Sequence, residues 1–131
     1  MEITTRRFTL IVLELFQMVL SLRFDPTTVT PEEGAPAPDR LISGTPQFRT
    51  WNFEEADGGI YAGIWEATPG KWRVVYDEWE YFHILEGYSV LTADSGEVHH
   101  LRPGDSLILR PGFAGTWEVV ETTRKDYVIR L

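Results

Sequence analysis

From residue 41 to its end, the chain alternates short apolar runs with breaks marked by glycine and proline. Runs rich in β-branched and aromatic residues occupy 48–53, 60–66, 71–76, 79–86, 88–93, 98–101, 106–110, 116–121 and 126–131. Between them stand Asp57-Gly58-Gly59, Pro69-Gly70, Glu86-Gly87, Asp94-Ser95-Gly96, Pro103-Gly104-Asp105 and Pro111-Gly112. Short strands at this spacing, separated by turn-forming residues, predict an all-β sandwich or barrel. Asp94-Ser95-Gly96 puts a glycine where a hairpin requires positive φ. No helical period of useful length follows Ser21, and no internal repeat is visible. Residues 79–85 and 106–109 are apolar on both alternating faces. Both faces are therefore expected to be covered, one by the core and one by a second sheet or a partner subunit. A homodimer follows as an expectation.

The first 40 residues obey no such rhythm. Residues 25–38 (DPTTVTPEEGAPAP) hold four prolines and little apolar content, which predicts an extended arm. Residues 8–22 are almost continuously apolar, with Glu14, Gln17 and Ser21 interrupting, and they follow Arg6-Arg7. As a secretory signal the segment lacks a small-x-small cleavage site. As a membrane span it falls short of the about 20 apolar residues a bilayer requires. A start of translation at Met18 accounts for it most simply, with a packed helix or strand and a targeting signal as alternatives. The resulting division is an apolar extension (1–24), a proline-rich arm (25–40) and one folded domain (41–131).

Composition narrows the choice of partner. Apolar residues make up 43% and aromatics 13% of 131 residues, enough to fill one core. Without cysteine there are no disulfides, no thiolate metal ligands and no thiol nucleophile. The net charge is −8, and Arg6-Arg7 and Arg124-Lys125 are the only adjacent basic pairs. Nucleic acid and anionic membrane both require concentrated positive charge, so neither is expected to bind. A small molecule is the expected partner and the cytoplasm the expected location. Arg124-Lys125 reads as a solvated strand edge, where lysine discourages edge-to-edge aggregation.

Two stretches carry a family resemblance. The first is Gly70-KWRVVYDEWEYFHILEG-Gly87, with Glu80 seven residues before Gly87, and the second is Pro103-GDSLILRPGFAGTWEV-Val119. Together they resemble the paired motifs of the cupin (RmlC-like) superfamily. The wording WEYFHILEG, PGDSLILRPGFAGTWEV and RKDYVI is similar to the branch that groups (S)-ureidoglycine aminohydrolases with ethanolamine-utilisation cupin domains. The resemblance implies a double-stranded β-helix, or jelly-roll barrel, with its site in the barrel mouth. Metal-binding cupins place histidines and a glutamate at positions that here read Val74, Tyr76, Glu80 and Gly115. One carboxylate does not hold a transition metal, which takes several ligands in defined geometry. His99 and His100 are adjacent on a strand and so point to opposite faces, and His83 lies opposite to Glu80. Glu78 can join Glu80 at the mouth only as a second hard oxygen ligand. No tightly held metal and no cofactor are therefore expected, a divalent ion held weakly by Glu78 and Glu80 being the alternative.

Alternation assigns the interior. Phe82 and Ile84 share a face with Glu80, as do Trp72, Val74 and Tyr76 on the preceding strand and Gly115, Trp117 and Val119 on the last motif. The expected ligand-binding residues are Trp72, Tyr76, Glu80, Phe82 and Trp117, with Glu80 the candidate acid or base. A lone acid among rings suits a cationic or amine-bearing ligand, and burial of that acid suits proton transfer. The same rings also suit plain core filling, and Glu80 a hydrogen-bonded buried acid. Three functions stay open: a small-molecule-binding cupin, an enzyme acting on a small amine or ureide compound, and a structural or interaction module.

Overall fold

The computed structural model describes residues 19–131. The Met18 start and the apolar run from Phe8 lie outside the described residues, except for its last members Val19, Leu20 and Leu22, which are exposed. The arm opens with a single 3-10 turn (Pro26–Thr28), capped by the Asp25 carboxylate, which accepts from the Thr27 amide. Nine strands follow: β1 (Glu32–Gly34), β2 (Leu41–Gly44), β3 (Phe48–Ala56), β4 (Ile60–Ala67), β5 (Gly70–Val75), β6 (Trp79–Ala93), β7 (Val98–Leu101), β8 (Ser106–Leu109) and β9 (Ala114–Arg130). Every pairing is antiparallel. The all-β cupin jelly roll predicted from the motifs is the fold observed.

Two long strands organise it. β6 and β9 pair along nearly their whole length, from Trp79↔Arg130 to Ala93↔Gly115. On its other edge β9 takes β5 against its first half and β4 against its second. β6 in turn takes β8 and then β7. One sheet thus curls into two facing halves, hinged where β6 and β9 bend together. The bend lies where the register slips between Ile84 and Ser89. Gly87 sits there at φ 88°, and a Cβ on it would meet the Thr122 carbonyl oxygen at 2.1 Å. Only glycine allows the strands to cross that closely. The inward parity of β6 changes across the bend, from Glu80, Phe82 and Ile84 to Ser89 and Leu91.

Two sequence expectations need revision. Residues 79–86 and 88–93 are one strand, because Gly87 makes a bulge and not a turn. Residues 116–121 and 126–131 are also one strand, since the polar stretch between them stays in the ladder with β4 and β6. The arm, for its part, supplies β1, which pairs with β3 through Glu32↔Thr50 and Gly34↔Phe48. The sheet therefore begins before residue 41.

The core joins the two halves. Trp72, Phe82, Ile84, Leu91, Leu101, Leu109, Trp117, Val119 and Tyr127 are buried together. On the outside, Val98 of β7 is 47% exposed and Ile108 of β8 46% exposed among the described residues.

Candidate functional site

One end of the barrel holds a cavity of about 260 Å³ whose walls come from β3, β4, β5, β6 and β9. Trp72 of β5 faces Trp117 of β9 directly in register, and their rings lie nearly parallel at 6.5 Å. Trp65 of β4 stands edge-on to Trp117 at 5.6 Å, and Phe48 of β3 touches both Trp65 and Trp72. The Trp117 indole is held from behind: its Nε1 donates to Ser89 Oγ at 3.2 Å, and Ser89 is bonded to Thr123 at 2.6 Å, both hydroxyls being fully buried. Tyr127 is fixed likewise, its hydroxyl donating to Asn52 Oδ1 at 2.7 Å.

Glu80 lies in this wall, 3% exposed, but it is not a lone acid. Lys125 Nζ donates to Glu80 Oε2 at 3.0 Å, with both side chains almost fully buried. The register explains the reach. On β6 the row Glu80, Phe82, Ile84 runs beside Ile129, Tyr127, Lys125 on β9, so Lys125 starts level with Ile84. Its stem crosses Phe82 to reach Glu80. The ammonium thereby lies 4.6 Å from the Phe82 centroid and 4.7 Å from those of Trp65 and Trp117. Three ring faces and one carboxylate surround one cation, and each attraction is stronger for the exclusion of water.

This arrangement overturns two expectations. Lys125 is not on a solvated edge; it points inward because odd positions of β9 face the interior. The cavity is also not acidic around Glu80, since Lys125 neutralises that carboxylate, so the preference for a cationic ligand loses its basis. Of the residues expected to bind ligand, Trp72, Tyr76, Glu80 and Trp117 line the cavity. Phe82 does not; it is fully buried behind Lys125. Alternation missed Phe48, Trp65, Lys125 and Tyr127, all of which line the cavity. Trp65 shares a face of β4 with Ala67, but Ala62 and Ile64 on the other face are buried too, so alternation alone does not single it out.

Tyr76 and Tyr127 are held in the neutral form. Burial pushes the Tyr76 phenol well above its ordinary value, and the charges of Glu80 and Glu78 add to it. Burial, then Glu80 and Glu32, push Tyr127 up to about 12. Both therefore serve as hydrogen-bonding hydroxyls at ordinary pH.

The residues present do not fit the metal that the cupin fold commonly carries. Val74 offers no ligand atom, and Glu80 already accepts from an ammonium. Gly115 has no room for a side chain: a Cβ there would meet the Thr92 carbonyl oxygen at 2.0 Å. A histidine at that place requires the β6–β9 backbones to part. The three histidines are engaged elsewhere: His83 lies 3.7 Å from Asp126, His99 3.2 Å from Glu97, and His100 Nδ1 2.7 Å from the Tyr88 hydroxyl. Among the described residues no group of three His, Cys, Asp or Glu side chains is placed to hold an ion.

Comparison with known proteins agrees with the fold. A crystal structure of a protein of unknown function from Pseudomonas syringae pv. tomato is 26% identical, with a TM-score of 0.69 over 85% of this chain. This chain spans only 45% of that protein's length. The Clostridium difficile EutQ protein superposes with a TM-score of 0.60 at 16% identity, over 87% of this chain and 96% of its own. Ectoine synthase from P. lautus does so with 0.57 at 17% identity, over 70% and 68%. A search of curated protein sequences gave no match. The sequence profile of the EutQ-like cupin domain matches residues 54–127, more than half of the chain, and takes in both motifs and Lys125. The chain belongs to the EutQ-like cupin domain family.

Proposed function

We propose that this chain is a small-molecule-binding cupin that works without a tightly held metal. Its ligand has an apolar or aromatic body, seated among Trp65, Trp72 and Trp117, and a polar head that meets the Glu80–Lys125 pair. The observation that carries the reading is that buried pair inside an aromatic cavity. An ion pair costs heavily to desolvate, and replacing one by apolar side chains is often neutral or stabilising. Two charges at the wall of a cavity therefore make most sense as a polar fixture for something that enters it. At about 260 Å³ the cavity lies just below the roughly 300–1,000 Å³ of drug-sized sites. It suits a small metabolite.

The test is a titration of intrinsic tryptophan fluorescence with small aromatic and carbonyl compounds. The reading expects saturable quenching that Trp72→Ala abolishes. Quenching that persists unchanged in that variant would overturn it.

A second reading is an enzyme acting on a small amine or ureide compound, in the manner of the aminohydrolase branch. One observation favours it: the Glu80 carboxylate has an ammonium at 3.0 Å with which to exchange a proton. Turnover of ureido or amino substrates, lost on Glu80→Gln, is its test. Homodimerisation through the exposed faces carrying Val98 and Ile108 belongs to the same proposal, with a doubled mass in solution as the expected result. So does a cytoplasmic location; no described helix is long and apolar enough to cross a membrane.

A further inference from the structure

We propose that Lys125 is a covalent amine: it condenses with the carbonyl carbon of a small aldehyde or ketone in the cavity to form an iminium. The inference rests on the pocket reading above and specifies the chemistry of the ligand's head.

Three features of the site carry it. First, Lys125 lines the cavity although its side chain is only 6% exposed, so the amine meets a guest and hardly meets bulk water. An amine that opens onto a cavity is placed to meet a carbonyl compound held there. Second, Glu80 Oε2 is 3.0 Å from Nζ, at proton-transfer distance. Third, the surroundings that hold the ammonium suit the product equally well. A protonated iminium keeps the positive charge at the same nitrogen, beside the same carboxylate and over the faces of Trp65, Phe82 and Trp117.

The steps balance. Glu80 takes one proton from the Lys125 ammonium, leaving a neutral amine whose lone pair attacks the carbonyl carbon. The carbonyl π pair moves to oxygen, which takes one proton from the now cationic nitrogen, giving a neutral carbinolamine. Glu80 returns its proton to the hydroxyl, the C–O bond breaks, and water leaves. The product is a protonated iminium paired with the Glu80 carboxylate. No oxidant, reductant or further group takes part.

The chain simplifies the experiment, because Lys71 and Lys125 are its only lysines. The full-length protein is incubated with benzaldehyde and cyanoborohydride, which reduces an iminium to a stable benzylamine. Peptide mapping then locates the added benzyl group. The proposal expects Lys125 to be labelled at least about tenfold faster than the partly exposed Lys71, because the cavity holds the aldehyde beside its nitrogen. Excess benzyl alcohol, which has the same ring and no carbonyl, should protect Lys125 and leave Lys71 unaffected. Glu80→Gln should slow labelling at Lys125, and Lys125→Arg should abolish it. The wild-type map decides even where a variant fails to fold.

Tryptophan quenching by benzyl alcohol separates the two levels. Should benzyl alcohol bind while Lys125 is labelled no faster than Lys71, the covalent step is wrong and the pocket stands. Should neither compound bind and neither lysine be preferred, the pocket reading falls and the proposal with it.

Discussion

Arg124 and Lys125 are neighbours on β9, each is paired with a glutamate, and they do opposite work. Arg124 faces outward and shares Glu66 with Arg49, at 2.9 Å and 2.7 Å. Both guanidiniums lie 4.9 Å from the centroid of Trp51. Lys125 faces inward and meets Glu80 beneath three rings. The outer carboxylate is 14% exposed and Arg124 24%, against 3% and 6% for the inner pair. The chemistry is nearly the same and only the access of water differs. Water and salt can screen the outer cluster, so its loss is a small event. The inner pair has no such relief: if one partner goes, the other remains charged in an apolar wall.

The largest expected effect is therefore on the inside. Glu80→Gln should cost about 3–5 kcal/mol in stability, because Lys125 is left charged and unpaired. Replacing both partners by apolar residues, Glu80→Leu with Lys125→Met, should restore most of that loss. Chemical denaturation of Glu80→Gln, of Glu80→Leu and Lys125→Met singly, and of the double variant measures it. A double variant as unstable as the sum of the two singles would mean that the side chains do not interact.

Next comes the outside. Arg124→Ala should cost about 1 kcal/mol, the sum of a partly buried, screened ion pair and a cation–π contact. The same denaturation series checks it, and a loss as large as that of Glu80→Gln would erase the contrast.

Much of this was legible in the sequence, and the failure has a definite cause. The glycine and proline breaks revealed the strands, and the paired motifs implied the jelly roll. Alternation from Glu80 found Trp72, Tyr76 and Trp117. It stopped short on β9 because residues 121–126 (ETTRKD) are polar throughout, and such a stretch reads as a break. Parity carried on through it would have put Thr123, Lys125, Tyr127 and Ile129 on the Trp117 side. A charged residue inside a barrel defeats hydrophobic patterning; its partner on another strand, with 44 residues between them, is visible only in three dimensions. Gly87 misled for a related reason, since a bulge and a turn share the same residue.

pH should separate the two regions more gently. Burial raises the Glu66 carboxyl, but hydrogen bonds from Arg49 and Arg124 outweigh it and hold the group below 4.5. Its contribution is present above 4.5 and is lost as pH falls through the lower folded value. Glu66→Gln should therefore flatten the acid limb of the stability profile. Tyr127 has the opposite sign. Its folded value of about 12 exceeds the ordinary 10.0, so the stability it contributes is whole below pH 10 and is lost as pH rises towards 12. Tyr127→Phe should flatten the alkaline limb. In a spectrophotometric titration, Tyr76 and Tyr127 should ionise above the ordinary tyrosine value of 10.0.

The inward orientation of Lys125 underlies both the buried ion pair and the pocket, and one spectrum reports it. In protein labelled with carbon-13 at lysine, only Lys71 and Lys125 give signals. Ring currents from Trp65, Phe82 and Trp117 should shift the Lys125 ε-protons far upfield of those of Lys71. On unfolding the two should converge. Two lysine signals already together near the exposed position in the native protein would contradict the account, because the cation would then lie in water and not against Glu80.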